Sequence, residues 1–307
     1  MQSNCTVPPL LAIKCLVYNH EPYLRQCLDG FVMQQTNFPF IAIVHDDAST
    51  DNSAAIIREY EEKYPDIIKT IYETENQYSK SDGSLTRIMN KAIDELGCKY
   101  VAMCEGDDYW TDPQKLQKQV DFLEAHEDFS VCCHNVNMWD ESTHTMTMNY
   151  ATPNAPEEAS VVELAKANYI INLSVMYRYN PQVYTNPFPD TYAGDYPMHL
   201  RHAEYGKIKY FPQVMGVYRA GSGVWSTLSA AEMLQKEIQM VIELQKYYKD
   251  RNDIFESLCF QLILRLSQLL QQFMPKETPS LLRRWQSKVK NVLKKLIQKF
   301  YCNIMKH

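Results

Sequence analysis

The chain has 307 residues, 45% hydrophobic and 22% charged, which supplies the core of one substantial α/β domain plus an appended element and excludes a disordered chain. Its nine cysteines, at 5, 15, 27, 98, 104, 132, 133, 259 and 302, form no C-x-x-C pair and no repeated spacing, which argues against a disulfide or zinc framework and fits a reducing, cytoplasmic compartment. The net charge of −6 is unevenly spread, because residues 276–307 carry nine Lys or Arg against one Glu and the body before them is correspondingly acidic.

Taken in chain order, the N-terminal run MQSNCTVPPLLAIKCLVYN lacks a basic flank and interrupts its apolar stretch at Lys14, so it reads as a first strand rather than a signal peptide. No uncharged apolar stretch approaches the roughly 20 residues that a bilayer span needs. β-branched apolar runs then alternate with helical periodicity, the signature of βαβ units and a largely parallel sheet. Strands are expected near Leu10–Val17, Phe40–His45, Ile67–Tyr72 and Lys99–Cys104. Helices are expected near Glu21–Gln34, Asp51–Tyr64, Leu85–Leu96 and Pro113–His126, with Ser49, Asp51 and Asp112 as capping residues. A strand at Phe129–Asn137, a polar loop over Thr143–Ala159 and a short helix at Val161–Ala167 follow. From Leu228 the pattern is helical almost to the end, with breaks near Asp250–Asn252 and Met274–Pro279. The expected division is a nucleotide-binding domain over 1–227 and a helical extension over 228–307.

Ligands of open α/β sheets gather where loops leave the carboxyl ends of the strands. Two such ends are acidic here: Asp46-Asp47-Ala48-Ser49-Thr50-Asp51 and Glu105-Gly106-Asp107-Asp108. Neighbouring carboxylates are costly to desolvate without a compensating cation or hydrogen-bond donors. A hard divalent ion, Mg²⁺ or Mn²⁺, is one solution, because it takes one or two carboxylates together with nucleotide phosphates. Turn-forming and helix-capping aspartates are the simpler solution. The presence of both clusters on strand ends of one sheet tips the reading toward a ligand site.

Histidines 20, 45, 126, 134, 144, 199, 202 and 307 show no zinc spacing. There is no phosphate-binding G-x-x-x-x-G-K-[ST] loop and no G-x-G-x-x-G after a strand, which argues against a P-loop NTPase or a dehydrogenase. A nucleotidyltransferase would want a glycine- and basic-rich loop within residues 1–40, and none is there.

The run Ile13–Asn19, the DDASTD segment at 46–51, the Glu75-Asn76-Gln77 turn and EGDDYWTDP at 105–113 resemble the inverting glycosyltransferase family 2, of GT-A fold. The resemblance continues through GDYPMHL at 194–200 and VYRAGSGVWS at 217–226. It implies a Rossmann-like, mostly parallel nucleotide-binding sheet flanked by helices, and transfer of a sugar from a nucleotide sugar, expected to be a uridine diphosphate sugar, to a glycan or lipid-linked hydroxyl. By that resemblance Tyr18, Asn19, Glu21, Asp46, Asp47 and Asp107 would contact the nucleotide. Asp107 first and Asp108 second would face a Mg²⁺ or Mn²⁺ ion, and Asp195 would be the base that deprotonates the acceptor. As plain structure, Asp195 would only stabilise a helix start before Pro197.

One position departs from the family pattern. Relatives often carry a histidine two residues after a Tyr-Arg pair, whereas Tyr218-Arg219 is followed by Ala220 and Gly221. Arg219 is shaped for diphosphate oxygens and equally for an ion pair. Trp225 beside Gly221-Ser222-Gly223 suits a lid or acceptor contact, or an apolar anchor, and Trp110 suits sugar stacking or the core. The rival reading is a non-catalytic carbohydrate-binding or assembly subunit of the same fold.

Within 281–301, apolar Leu282, Trp285, Val289, Leu293, Leu296 and Phe300 recur at helical spacing with basic residues on the other faces. Such a segment suits peripheral contact with an anionic membrane, or packing on the acidic body or a second subunit. Basic residues confined to one tail of an acidic protein argue against nucleic acid.

Overall fold

The computed structural model describes residues 8–150, 155–185, 194–221, 223 and 228–272. Its first half is β1 (Leu11–Val17), α1 (Leu24–Val32), β2 (Phe40–Asp46), α2 (Ser53–Lys63), β3 (Ile68–Tyr72), α3 (Ser84–Leu96) and β4 (Tyr100–Met103). Then come β5 (Tyr109–Trp110), α4 (Lys115–Ala125), β6 (Phe129–Asp140), β7 (Thr145–Thr147), β8 (Glu158–Ala159), α5 (Val161–Lys166) and β9 (Met176–Arg178). The chain continues through α6 (Gln182–Thr185), α7 (Asp195–Ala203), β10 (Lys207–Ala220), α8 (Ala230–Tyr247) and α9 (Asn252–Gln272).

The strands order as β3-β2-β1-β4-β9-β6-β10-β5, with β7 on β6 and β8 on β10. The first four are parallel, as the continuous apolar runs predict for strands buried on both faces. The second half corrects the expectation of a mostly parallel sheet. β9 runs antiparallel to both β4 and β6, β5 is antiparallel to β10, and only β6 with β10 restores a parallel pair, so the sheet is mixed. β10 is a 14-residue strand absent from the sequence reading. It is hard to read because its register against β6 breaks three times, once across Phe211–Val214 where Pro212 cannot donate to the ladder.

Apolar side chains from alternate positions feed two cores. Leu11, Ile13, Cys15 and Val17 face a cluster with α1, α2 and α4, while Ala12 and Met103 face one built with α3, α5, α7, α8 and α9. The helical extension is anchored in the second core through Val241, Leu244, Ile254 and Leu258, and through a Tyr196 hydroxyl to Gln261 bond of 3.2 Å. Ser229 starts α8 with a reciprocal capping box to Glu232.

Helix starts shift from the expected positions for a local reason. Asp112 Oδ1 accepts from Gln114 N at 2.8 Å, an Asx turn that delays α4 to Lys115. Helix α1 starts at Leu24 because His20 N and Glu21 N bond to Ser53 and Asp51 of the neighbouring loop.

Lys115 at the start of α4 is fully buried, with Nζ 2.7 Å from Gln119 Oε1 and 4.0 Å from the Trp110 ring centre. Burial pulls its pKa down to about 7, so the unfolded chain binds the extra proton between about pH 7 and the ordinary lysine value of 10.5. Stability contributed at this site therefore rises with pH across that window. Urea unfolding of the wild type and Lys115→Met from pH 7 to 10 is expected to show a rise in the wild type relative to the variant.

Candidate active site

β1 is followed in the sheet by β2 on one side and β4 on the other, so the chain reverses its direction of sheet growth at β1. That switch point opens a crevice where the loops after β1, β2 and β4 meet at the carboxyl edge. The first two loops are laced together. Asn19 and Ala48 adopt left-handed conformations (φ 56° and 61°). Asn19 N donates to Ser49 Oγ at 3.0 Å and Asn19 Oδ1 accepts from Thr50 N at 2.8 Å. Glu21 accepts from Asn52 N at 3.0 Å and from Asn52 Nδ2 at 2.6 Å. Asn19 Oδ1 and the Glu21 carboxylate thus shape the rim, and Tyr18 beside them is 46% exposed.

Asp46 and Asp47 close β2, both buried, in different environments. The Asp47 carboxylate accepts from Gln77 N at 2.6 Å and Tyr78 N at 3.0 Å, which fixes the turn after β3. Asp46 Oδ1 has no hydrogen-bond partner among the described residues although it is shut off from solvent, an acceptor available to a ligand donor. The preceding residue of the strand, His45, is fully buried, with Nε2 3.5 Å from Glu73 Oε1.

The loop after β4 turns tightly against β1. Gly106 N donates to Leu16 O at 3.0 Å, and a Cβ on Gly106 would stand 2.7 Å from His20 Nδ1 and 2.9 Å from Val17 Cγ2, so only glycine fits. This glycine delivers three carboxyl groups into one region. Glu105 Oε1 accepts from Asn172 Nδ2 at 2.9 Å. Burial pushes Glu105 up to about 7, opposed by the ammonium of Lys14 and reinforced by Asp107 and Asp195. Asp108 is 4% exposed and accepts from Arg219 N at 2.8 Å. Burial, then the Asp107 charge, holds it well above the usual carboxylate range.

Asp195 is the first residue of α7, with Oδ1 accepting from Tyr196 N at 2.8 Å. It stands some ninety residues beyond Glu105 in the chain, and its charge is among those that raise the Glu105 carboxyl. Arg219 is 7% exposed and committed within the protein. Its Nε donates to Asp107 O at 2.8 Å, Nη2 donates to Gln26 Oε1 at 2.7 Å, Nη1 pairs with Glu141, and the guanidinium lies 4.5 Å from the Tyr23 ring centre.

Of the two readings open for Trp110, sugar stacking or the core, the structure gives the second. It is 2% exposed, donates Nε1–H to Leu173 O at 2.8 Å and packs 5.0 Å from Phe31, so it is a core side chain and offers no face to a sugar. Trp225 and the segment 273–307 lie outside the described residues. Sequence reasoning missed Lys14, Asn172 and Glu141 as neighbours of the acidic loop. Lys14 alone carried a signal, a cation in the middle of an apolar strand.

A divalent ion here would be a companion of a ligand rather than the resident of a preformed cage. Among the described residues no three His, Cys, Asp or Glu side chains converge to hold a metal. The carboxylates that such an ion would meet in this loop are the adjacent Asp107 and Asp108, the charge of the first helping to raise the second.

Residues 16–221 match the model of glycosyl transferase family 2. The chain belongs to this family. An uncharacterized protein of Mycobacterium tuberculosis is 37% identical over 216 residues, which span 70% of this chain and 60% of that protein. The chain thus spans less than two thirds of that relative's length. Among solved structures, S. aureus TarS 1-349 in complex with UDP-GlcNAc aligns with a TM-score of 0.55 at 16% identity, covering 85% of this chain and 80% of that one. The mannosyltransferase PcManGT of Pyrobaculum calidifontis, in complex with GDP-Man and Mn²⁺, aligns with a TM-score of 0.60 at 16% identity, covering 94% and 84%. These likenesses identify the fold of this family 2 member as GT-A, a mixed curled sheet flanked by helices.

Proposed function

We propose that this family 2 chain transfers a sugar from a nucleotide-sugar donor, a uridine diphosphate sugar, to a hydroxyl of a glycan or lipid-linked acceptor with inversion, in surface polysaccharide synthesis. The observation that carries the reading is the switch-point crevice, where buried Asp46 keeps an unpartnered oxygen at the end of β2 and Gly106 turns the acidic loop after β4 back against β1. The nucleoside lies between Tyr18 and Asp46, whose unpartnered oxygen accepts from the base or ribose. Asn19, Glu21 and Asp47 act there by holding the loops against it. A Mg²⁺ or Mn²⁺ ion on Asp107, with Asp108 behind it, would supply charge neutralisation of the departing nucleoside diphosphate. Asp195 accepts the proton of the acceptor hydroxyl as that oxygen attacks the anomeric carbon from the face opposite the leaving group. Release of nucleoside diphosphate from a panel of uridine and guanosine diphosphate sugars, with and without Mn²⁺, tests the donor assignment directly.

Two features favour the rival, a carbohydrate-binding or assembly subunit without turnover. Gly221 replaces the family histidine, and Arg219 is engaged by Glu141 and Gln26 rather than held open toward a diphosphate. Absence of release with every donor, together with retained glycan binding, would favour it.

Among the described residues no helix is long and apolar enough to cross a membrane. In the same proposal the enzyme works in the cytoplasm with 281–301 against an anionic membrane face, where the lipid-linked acceptor is delivered. The full chain is expected to sediment with vesicles containing phosphatidylglycerol at low salt and to be released at high salt, with a chain ending at residue 275 staying in solution. Equal sedimentation of both would remove the membrane role of the tail.

A further inference from the structure

Helix α9 buries one face and leaves the other uncovered. Ile254, Ser257, Leu258 and Gln261 turn inward, and the Gln261 side chain meets the Tyr196 hydroxyl of α7 at 3.2 Å. At about 100° per residue, Phe260, Ile263, Leu266 and Leu270 fall on the other side of the helix. Phe260 is 58% exposed and Leu270 49%, and Leu266 and the flanking Leu264 are exposed as well. Single apolar side chains on a surface need no explanation, whereas a contiguous strip of them marks a contact. A helix that is apolar all round is also covered all round.

The occupant follows from what the strip lacks and from what comes after it. From Cys259 to Gln272 the one charged residue is Arg265, and it is ion-paired with Glu237 of α8 at 3.0 Å. The strip therefore offers apolar surface with no acidic group to repel an anionic one. Beyond α9 the chain passes directly into residues 276–307, which carry nine Lys or Arg against one Glu. Apolar area joined to dense positive charge suits the interface of an anionic bilayer, where insertion and electrostatic attraction add. The fit is to lying in that interface, because among the described residues no helix is long and apolar enough to cross a membrane. A second copy of the chain fits less well. From Phe260 to Leu270 the strip is about 15 Å long and one helix wide, far short of the roughly 800 Å² per partner of a stable dimer.

We propose that the Phe260–Leu270 face of α9 inserts into the interface of an anionic bilayer, as the apolar half of a docking surface whose cationic half is the segment that follows. The inference rests on the membrane placement proposed above and adds to it a contact on the folded body of the protein. That contact orients the enzyme as well as holding it. Gln261 of the same helix is bonded to Tyr196 of α7, the helix that Asp195 begins, so a docked α9 sets where α7 stands relative to the bilayer.

The test compares the full chain with its Phe260→Gln, Leu270→Gln double variant, which keeps the charge and a good helix former at both positions. Both are sedimented over a series of salt concentrations with vesicles of phosphatidylglycerol and phosphatidylcholine in equal parts. The variant is expected to partition about tenfold more weakly at every salt concentration, with the same salt dependence, because only apolar contact is lost. Its urea midpoint without lipid is expected to match the wild type. Equal partitioning of a wild type that does sediment would overturn this surface and leave the role of the tail standing. A wild type that ignores the vesicles would remove the membrane placement and this surface together. Two other results would also overturn it by naming a different occupant: a wild-type dimer that the variant loses in sedimentation equilibrium, or a urea midpoint lowered before lipid is added, which means that the chain itself covers the strip.

Discussion

Asp195→Asn is expected to lower the rate of sugar transfer by about 10²–10⁴-fold while leaving nucleotide affinity within a factor of two or so, the range for loss of a general base. The change preserves shape and the bond from Tyr196 N, and removes only the ability to accept a proton. The groups proposed to face the nucleotide, Asp46 at the end of β2 and Asp107 in the loop after β4, are untouched. Measuring kcat with a saturating donor, alongside UDP affinity, separates the two effects. Equal loss of UDP binding and rate would mean that Asp195 shapes the donor pocket instead. Full retention of rate would remove it from the chemistry.

Trp110→Ala carries the second large effect, and it is an effect on folding. The indole fills the space between α1 and the edge pair β5–β10, where the backbone of Gly30 approaches so closely that a Cβ there would meet Trp110 N at 3.0 Å. Truncation leaves a cavity beside Phe31, strands Leu173 O and uncovers the buried amine of Lys115. The expected loss is about 3–5 kcal/mol, read from urea unfolding. Trp110→Phe should recover much of it, because ring volume is kept and the single hydrogen bond is lost. A sugar-stacking role would give the opposite pattern, an elevated acceptor KM with stability unchanged.

The parts of this fold that were legible in the sequence are those with one dominant cause. β1 to β4 and the helices between them announce themselves because a strand covered on both faces must be apolar throughout, and a covering helix must repeat its apolar residues every three or four positions. The second half hides its strands for physical reasons. β9 is three residues long, β5 is two, and β10 is broken by bulges at Pro212 and beyond, so none sustains a period. At the site, aspartates at strand ends were readable, but their partners were not. Nothing in the sequence tells that Asp47 is consumed by the turn at Gln77 while Asp46 keeps an open oxygen, or that Arg219 reaches Gln26 across 193 residues. Those distinctions are set by tertiary contacts.

The central claim is that Asp107 and the crevice around it hold a nucleoside diphosphate through a divalent ion. Isothermal titration calorimetry of UDP, with and without Mn²⁺, on the wild type and Asp107→Ala tests it most directly. Binding that requires Mn²⁺ and is lost in the variant is the predicted result. UDP binding that ignores both Mn²⁺ and Asp107, or no binding of any nucleoside diphosphate, would contradict it.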